Sequence, residues 1–163
     1  MRLRLAAALL FLATTTTLLA QTPGPCRDPF GNFVPAFANA YIPDVAIATW
    51  SPQTGPIIYY QPNVAFSPGA VSTFVYYHEC GHHALGHVLG FSRGIPGPPS
   101  MEIDADCYAM ATLAQLGLTQ RDFALIAGAF YYNPAKPPYY PDGPTRVAYM
   151  QACLRNRGIQ LPN

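Results

Sequence analysis

The stretch Tyr77-His78-Glu79-Cys80-Gly81-His82-His83 sets two imidazoles four positions apart, with a carboxylate beside the first. On a helix this spacing leaves His78 and His82 about 40° apart around the axis, so both rings can reach one metal ion. Glu79 falls about 100° from His78, beside such an ion rather than on it. There it can take a proton from a zinc-bound water and return it to a leaving amine. Two histidines do not complete a zinc site. A second acidic stretch, Met101-Glu102-Ile103-Asp104-Ala105-Asp106, follows twenty residues on. Glu102 and Asp106 are four apart and share a helical face. One can bind the metal while the other accepts the N–H of a liganding histidine and fixes its ring.

Composition sharpens this reading. Glu79 and Glu102 are the only glutamates, and all four histidines lie between positions 78 and 87. The residues around the motif are apolar rather than charged, which argues against a solvated helix face. His83 and His87 fall about 140° and 180° around a continuous helix from His78, so neither faces the same ion. Packing or hydrogen bonding on the opposite face is expected of them, with a second site between them as the alternative. Asp104 lies on a different face from Glu102 and reads as a solvated or capping carboxylate.

These residues need elements to position them. Ala70 to Leu89 reads as the first long helix, ended by Gly90. Gly94 to Pro99 is a Gly/Pro loop that cannot continue it. Ser100 is placed to cap a second helix running to Leu116, with Glu102 in its first turn, where a carboxylate suits the helix dipole. Thr119 caps a third helix to about Ala127, and a last one spans about Thr145 to Arg157. Upstream, Val45 to Trp50 and Ile57 to Tyr60 read as strands around the turn Ser51 to Pro56, a β-hairpin or two edge strands. The expected fold is therefore α+β, a small hairpin or sheet beside a helical body centred on two metal-binding helices.

The first twenty residues are laid out as a signal peptide: Arg2 and Arg4, then the uncharged apolar run Leu5 to Ala13, with Ala20 the expected last residue removed. The apolar segment is shorter than the roughly 20 residues a spanning helix needs, so no membrane span is expected in the mature chain. Residues 21–43 read as an extended lead-in and 44–163 as a single domain. Outside the leader seven Lys/Arg stand against eight Asp/Glu, a balance that gives no reason to expect nucleic acid as partner. Cys26, Cys80, Cys107 and Cys153 are even in number, and in an exported chain two disulfides are expected, with three connectivities open. Cys80 lies about 160° from His78 and Cys107 about 140° from Glu102, which disfavours a bridge between them if the two helices meet across the metal.

The run His78-Glu79-Cys80-Gly81-His82-His83-Ala84-Leu85-Gly86-His87 resembles the gluzincin metallopeptidases of the CAAX prenyl protease type, whose helix commonly reads H-E-x-G-H with a further histidine five residues on. Glu102-Ile103-Asp104-Ala105-Asp106 is similar to their E-x-x-A-D segment, whose glutamate is the third zinc ligand. A looser echo lies in Tyr140-Pro141 and Arg146-Val147, where many members carry H-P and then R-I or R-V; Tyr140 stands where their histidine would. The resemblance implies a minimal zincin-like fold and one Zn²⁺ held by His78, His82 and Glu102. Glu79 would be the general base and Asp106 the orienting carboxylate. The activity implied is hydrolysis of a peptide or protein substrate, in the periplasm or outside the cell. A developing oxyanion needs a donor, and Tyr140 or Arg146 is the expectation for oxyanion or substrate contact. The rival expectation is a non-catalytic or latent zinc-binding domain used to bind a partner.

Overall fold

A computed structural model describes residues 24–63, 69–91, 97–134 and 140–163. The expected signal peptide, part of the Gly/Pro loop and the tip of the Tyr/Pro loop lie outside the described residues. The fold is α+β. Among the described residues three strands, β1 (Ala36–Ala38), β2 (Ala46–Ser51) and β3 (Gly55–Tyr60), precede five helices. These are α1 (Gly69–Ala84), α2 (His87–Phe91), α3 (Ser100–Gln115), α4 (Gln120–Tyr131) and α5 (Gly143–Asn156).

The hairpin expectation is met by β2 and β3, which pair antiparallel with Ala48 opposite Ile58. Gly55 closes the three-residue turn at φ +68°, a left-handed position that favours glycine. The sequence offered no sign of β1, which pairs parallel with the far side of β3. The sheet order is thus β1-β3-β2, leaving β2 as an edge. Gln61 N–H donates to the Val45 carbonyl. By the alternation of an antiparallel ladder, odd-numbered residues of β2 turn their main chain toward β3. Even-numbered residues, Ala46, Ala48 and Trp50, turn theirs outward.

α1 is the central element, packed by α3, α4, α2 and the sheet. Its buried residues include Phe74, Val75, Tyr77 and the whole run from His78 to His83. The core gathers Phe74, Tyr77 and Cys80 of α1 with Ala109, Met110 and Leu113 of α3, Ile126 of α4, and Met150 and Leu154 of α5. Two boundaries differ from expectation. α1 ends at Ala84, not Leu89, because Gly86 takes φ +75° and its N–H bonds the His83 carbonyl, an αL stop. Ser100 is inside α3 rather than its cap: Pro99 holds that place with helical φ −54° and no side-chain cap. Thr119 caps α4 as expected, forming a reciprocal capping box with Asp122. That helix runs on to Tyr131, its Phe130 ring lying edge-on to Phe74 at 5.1 Å. No helix among the described residues is long and apolar enough to cross a membrane.

Both disulfides form between the core elements and their neighbours. Cys26–Cys80 joins the lead-in to α1, and Cys107–Cys153 joins α3 to α5. The lead-in is fastened further where Gly24 N–H donates to the Tyr77 hydroxyl and Cys26 N–H to the Tyr76 hydroxyl.

Candidate metal centre

One close helix crossing brings the polar groups together. Gly81 of α1 faces Ala105 of α3 so tightly that a Cβ there would lie 3.1 Å from the Ala105 Cα. This approach delivers Glu102 to the two histidines. His78 Nε2 lies 3.1 Å from His82 Nε2 and 3.2 Å from Glu102 Oε2, and His82 Nε2 lies 3.4 Å from Glu102 Oε1. Atoms bound about 2.0–2.1 Å from a tetrahedral ion stand about 3.3–3.4 Å from one another, so the triangle has the size of one face of such a shell. All three residues are buried, and among the described residues they are the group able to hold a metal ion.

Electrostatics favour a cation here. Glu79, Glu102 and Asp106 are buried with Arg146, three carboxylates against one guanidinium, leaving two negative charges for a divalent ion to balance. Burial opposes a proton on His78, yet its hydrogen bonds to Asp106 and Glu102 outweigh that and push its pKa up to about 10. Burial likewise works to raise Glu102, but contacts with both histidines hold it below the usual carboxylate range. A site that recruits positive charge this strongly is one that could hold a metal ion.

The groups behind the triangle fix its orientation. Asp106 is fully buried, and its Oδ1 lies 2.8 Å from His78 Nδ1. Asp106 is in turn held by a fork from α5: Arg146 Nε and Nη2 donate to Oδ2 and Oδ1 at 2.8 and 2.7 Å. Burial works to raise Asp106, but these bonds from Arg146 and His78 keep it ionised. The Arg146 guanidinium also stacks 5.2 Å over the Phe130 ring. The structure therefore gives Arg146 an occupation that spacing did not foresee, since this fork steadies the carboxylate behind His78.

Glu79 stands beside the triangle, where helical spacing puts it. It is buried, and its Oε2 accepts the outward-turned Ala48 N–H of β2 at 2.6 Å. Burial raises its pKa, partly offset by His78 and His82. A cleft of roughly 380 Å³ opens over these groups. It is lined by Ala46, Ile47 and Ala48 of β2, by Phe130, Pro134 and Tyr140, and by His78, Glu79 and Glu102. Burial and the Glu102 charge hold the Tyr140 hydroxyl protonated, pushing it up to about 12.

The remaining candidates are placed elsewhere. Asp104 is exposed. His83 is buried on the sheet side and bonds the Ile57 carbonyl at 3.0 Å, and burial lowers its pKa. His87 does not lie on the far face of α1. The chain breaks at Gly86, and the His87 Nδ1 comes back to 3.1 Å from His82 Nδ1. Burial and His82 hold its pKa down to about 4. The lead-in lies on the face of α1 that carries Tyr77 and Cys80, and the described part before Pro43 does not line the cleft. No protein-family model matches the chain, and neither a curated protein nor a solved structure shows significant similarity to it.

Proposed function

We propose that this chain is an exported zinc metallopeptidase of gluzincin type. The observation that carries the reading is the buried His78–His82–Glu102 triangle with Glu79 beside it, at the foot of a cleft bordered by a free-edged strand. Two imidazoles and one carboxylate at tetrahedral spacing suit Zn²⁺. A structural zinc site is closed by four protein ligands, whereas this group has three members among the described residues, which favours an open position for chemistry. Zinc bound there supplies a Lewis acid that acidifies an attacking water and polarises the scissile carbonyl.

The chain's own groups do the rest. Glu79, one oxygen steadied by Ala48 N–H, accepts the proton of the water on the other and returns it to the leaving nitrogen. Burial lifts its affinity for that proton, which suits a group that must take and then surrender it. Tyr140, which lines the same cleft and is kept protonated, is the donor for a developing oxyanion. The outward main-chain groups of Ala46 and the Ala48 carbonyl, the Ala48 N–H being taken by Glu79, hold a peptide in extended form by strand addition. Arg146 and Asp106 keep His78 in the tautomer that presents Nε2. Two disulfides accord with an oxidising compartment, periplasmic or extracellular.

The test is metal content paired with activity on disulfide-intact protein. One equivalent of zinc and chelator-sensitive cleavage of an unfolded protein substrate are expected, with Glu79→Gln keeping zinc and losing cleavage by at least about 10²-fold. Zinc without cleavage in the parent chain would favour a non-catalytic domain that binds a partner. Full activity in the Glu79→Gln variant would refute the general-base assignment.

A further inference from the structure

The proposed metal centre has an orienting group behind His78 but none yet assigned behind His82, and the following rests on that centre. If His82 Nε2 is the ligand atom, as its 3.4 Å distance to Glu102 Oε1 and 3.1 Å to His78 Nε2 imply, its lone pair must sit on Nε2. The ring proton is then on Nδ1, and a buried N–H needs an acceptor. The atom beside it is His87 Nδ1, 3.1 Å away, on a ring tilted 66° to that of His82 with centroids 5.2 Å apart. Two nitrogens this close cannot both carry a proton between them. With His82 donating, His87 must accept through a bare Nδ1 and hold its own proton on Nε2.

We propose that His87 is the positioning residue of His82, its Nδ1 accepting the His82 Nδ1–H and thereby fixing the tautomer and ring angle at which Nε2 faces the metal. The backbone is shaped for this. Were α1 continuous, His87 would stand about 140° from His82 around the axis, beyond its reach. The left-handed turn at Gly86, φ +75°, ends α1 and starts α2 at His87, carrying that ring back over His82. The two histidine ligands are therefore backed unequally, His78 by a carboxylate and His82 by a neutral imidazole. His78 is the more strongly electron-donating ligand of the pair.

The experiment compares His87→Asn, whose amide oxygen occupies the position of Nδ1, with His87→Leu, which fills the space without an acceptor. Zinc affinity is read by chelator competition on disulfide-intact protein, and the unfolding of each variant is followed in excess chelator. His87→Leu is expected to bind zinc about 10–100-fold more weakly, with His87→Asn restoring most of the loss. A role in packing alone would lower chelator-treated stability and leave zinc affinity unchanged, and that result overturns the proposal. So does an equal loss in both variants. Long-range ¹H–¹⁵N spectra of the zinc-loaded parent chain give a check that needs no variant to fold. His82 should carry its proton on Nδ1 and His87 on Nε2, and the reverse for His87 overturns the assignment. A parent chain that binds no zinc removes the metal centre itself, an outcome distinct from a centre that binds zinc without help from His87.

Discussion

Adding one methyl at Gly81 tests whether the α1–α3 crossing sets the metal triangle. A Cβ there would meet Ala105 Cα at 3.1 Å, Ala105 O at 3.2 Å and Tyr108 Cβ at 3.2 Å. Ordinary contact between carbon atoms is about 3.5–4.0 Å, so α3 must retreat by several tenths of an ångström; two of the three contacts are backbone and cannot swing aside. Alanine is the better helix former by about 1 kcal/mol, while overpacking a tight core costs about 1–3 kcal/mol. The net expectation for Gly81→Ala is a loss of up to about 2 kcal/mol in chelator-treated stability, read from urea unfolding. The effect on zinc should be larger than stability alone implies. Glu102 lies one turn before Ala105 on the displaced helix, and its oxygens must stay within 3.2–3.4 Å of two fixed nitrogens. A fall in zinc affinity of about tenfold or more is expected, comparable to losing an orienting group. A Gly81→Ala protein that is about 1 kcal/mol more stable and binds zinc like the parent would show only the helix-propensity gain. The close crossing would then not be what places Glu102.

Three other outcomes are expected. Glu102→Ala should weaken zinc by more than about 100-fold, since losing a ligand exceeds losing its support, whereas the exposed Asp104→Ala should change it by no more than about twofold; chelator competition reads both. In metal-free protein the raised pKa of His78 links stability to pH. Its contribution is fully present below the ordinary value of 6.5 and is lost as pH rises through about 10, so denaturant midpoints in excess chelator should fall over that window, and less so in His78→Gln. Replacing Cys26 and Cys80 together by alanine opens a loop spanning 54 residues, which chain entropy values at about 4 kcal/mol. A loss under about 1 kcal/mol in urea unfolding would show that the lead-in is held by other contacts.

How much of this was legible in the sequence follows from how local each feature is. His78 and His82, and separately Glu102 and Asp106, repeat at helical spacing, so the facing of each pair follows from helix geometry alone. The hairpin was legible because its strands flank a Ser-Pro-Gln-Thr-Gly turn. What escaped notice depends on partners far along the chain. β1 is only Ala-Phe-Ala, without strand patterning, and exists because β3 has a second edge to satisfy. Arg146 is expected from the sequence at the oxyanion or substrate, and its grip on Asp106 is hidden by the 40 residues between them. The far-face position expected for His87 assumes a helix continuing to Leu89, whereas Gly86, a glycine after a long helical run, stops it. Ser100 was assigned a cap that Pro99 already occupied, since proline's fixed φ starts the helix early.

The two sulfur bridges divide the molecule in a way that bears on how it would respond to gaining or losing an ion at the His78–His82–Glu102 triangle. One ties the lead-in to α1, and the other ties α3 to α5, where Arg146 and Asp106 add a second clasp. Neither disulfide crosses from the first pair to the second. The seam between them is spanned by the Gly81–Ala105 contact, the core around Phe74 and Met110, and the His78–His82–Glu102 triangle. An ion held by His78, His82 and Glu102 would be a third crosslink, joining α1 to α3 where neither disulfide does. Withdrawing it would leave each half internally stapled and the boundary between them the softest part of the protein. Amide exchange on chelation would then quicken along the facing sides of α1 and α3 before it reached the sulfur-tied segments.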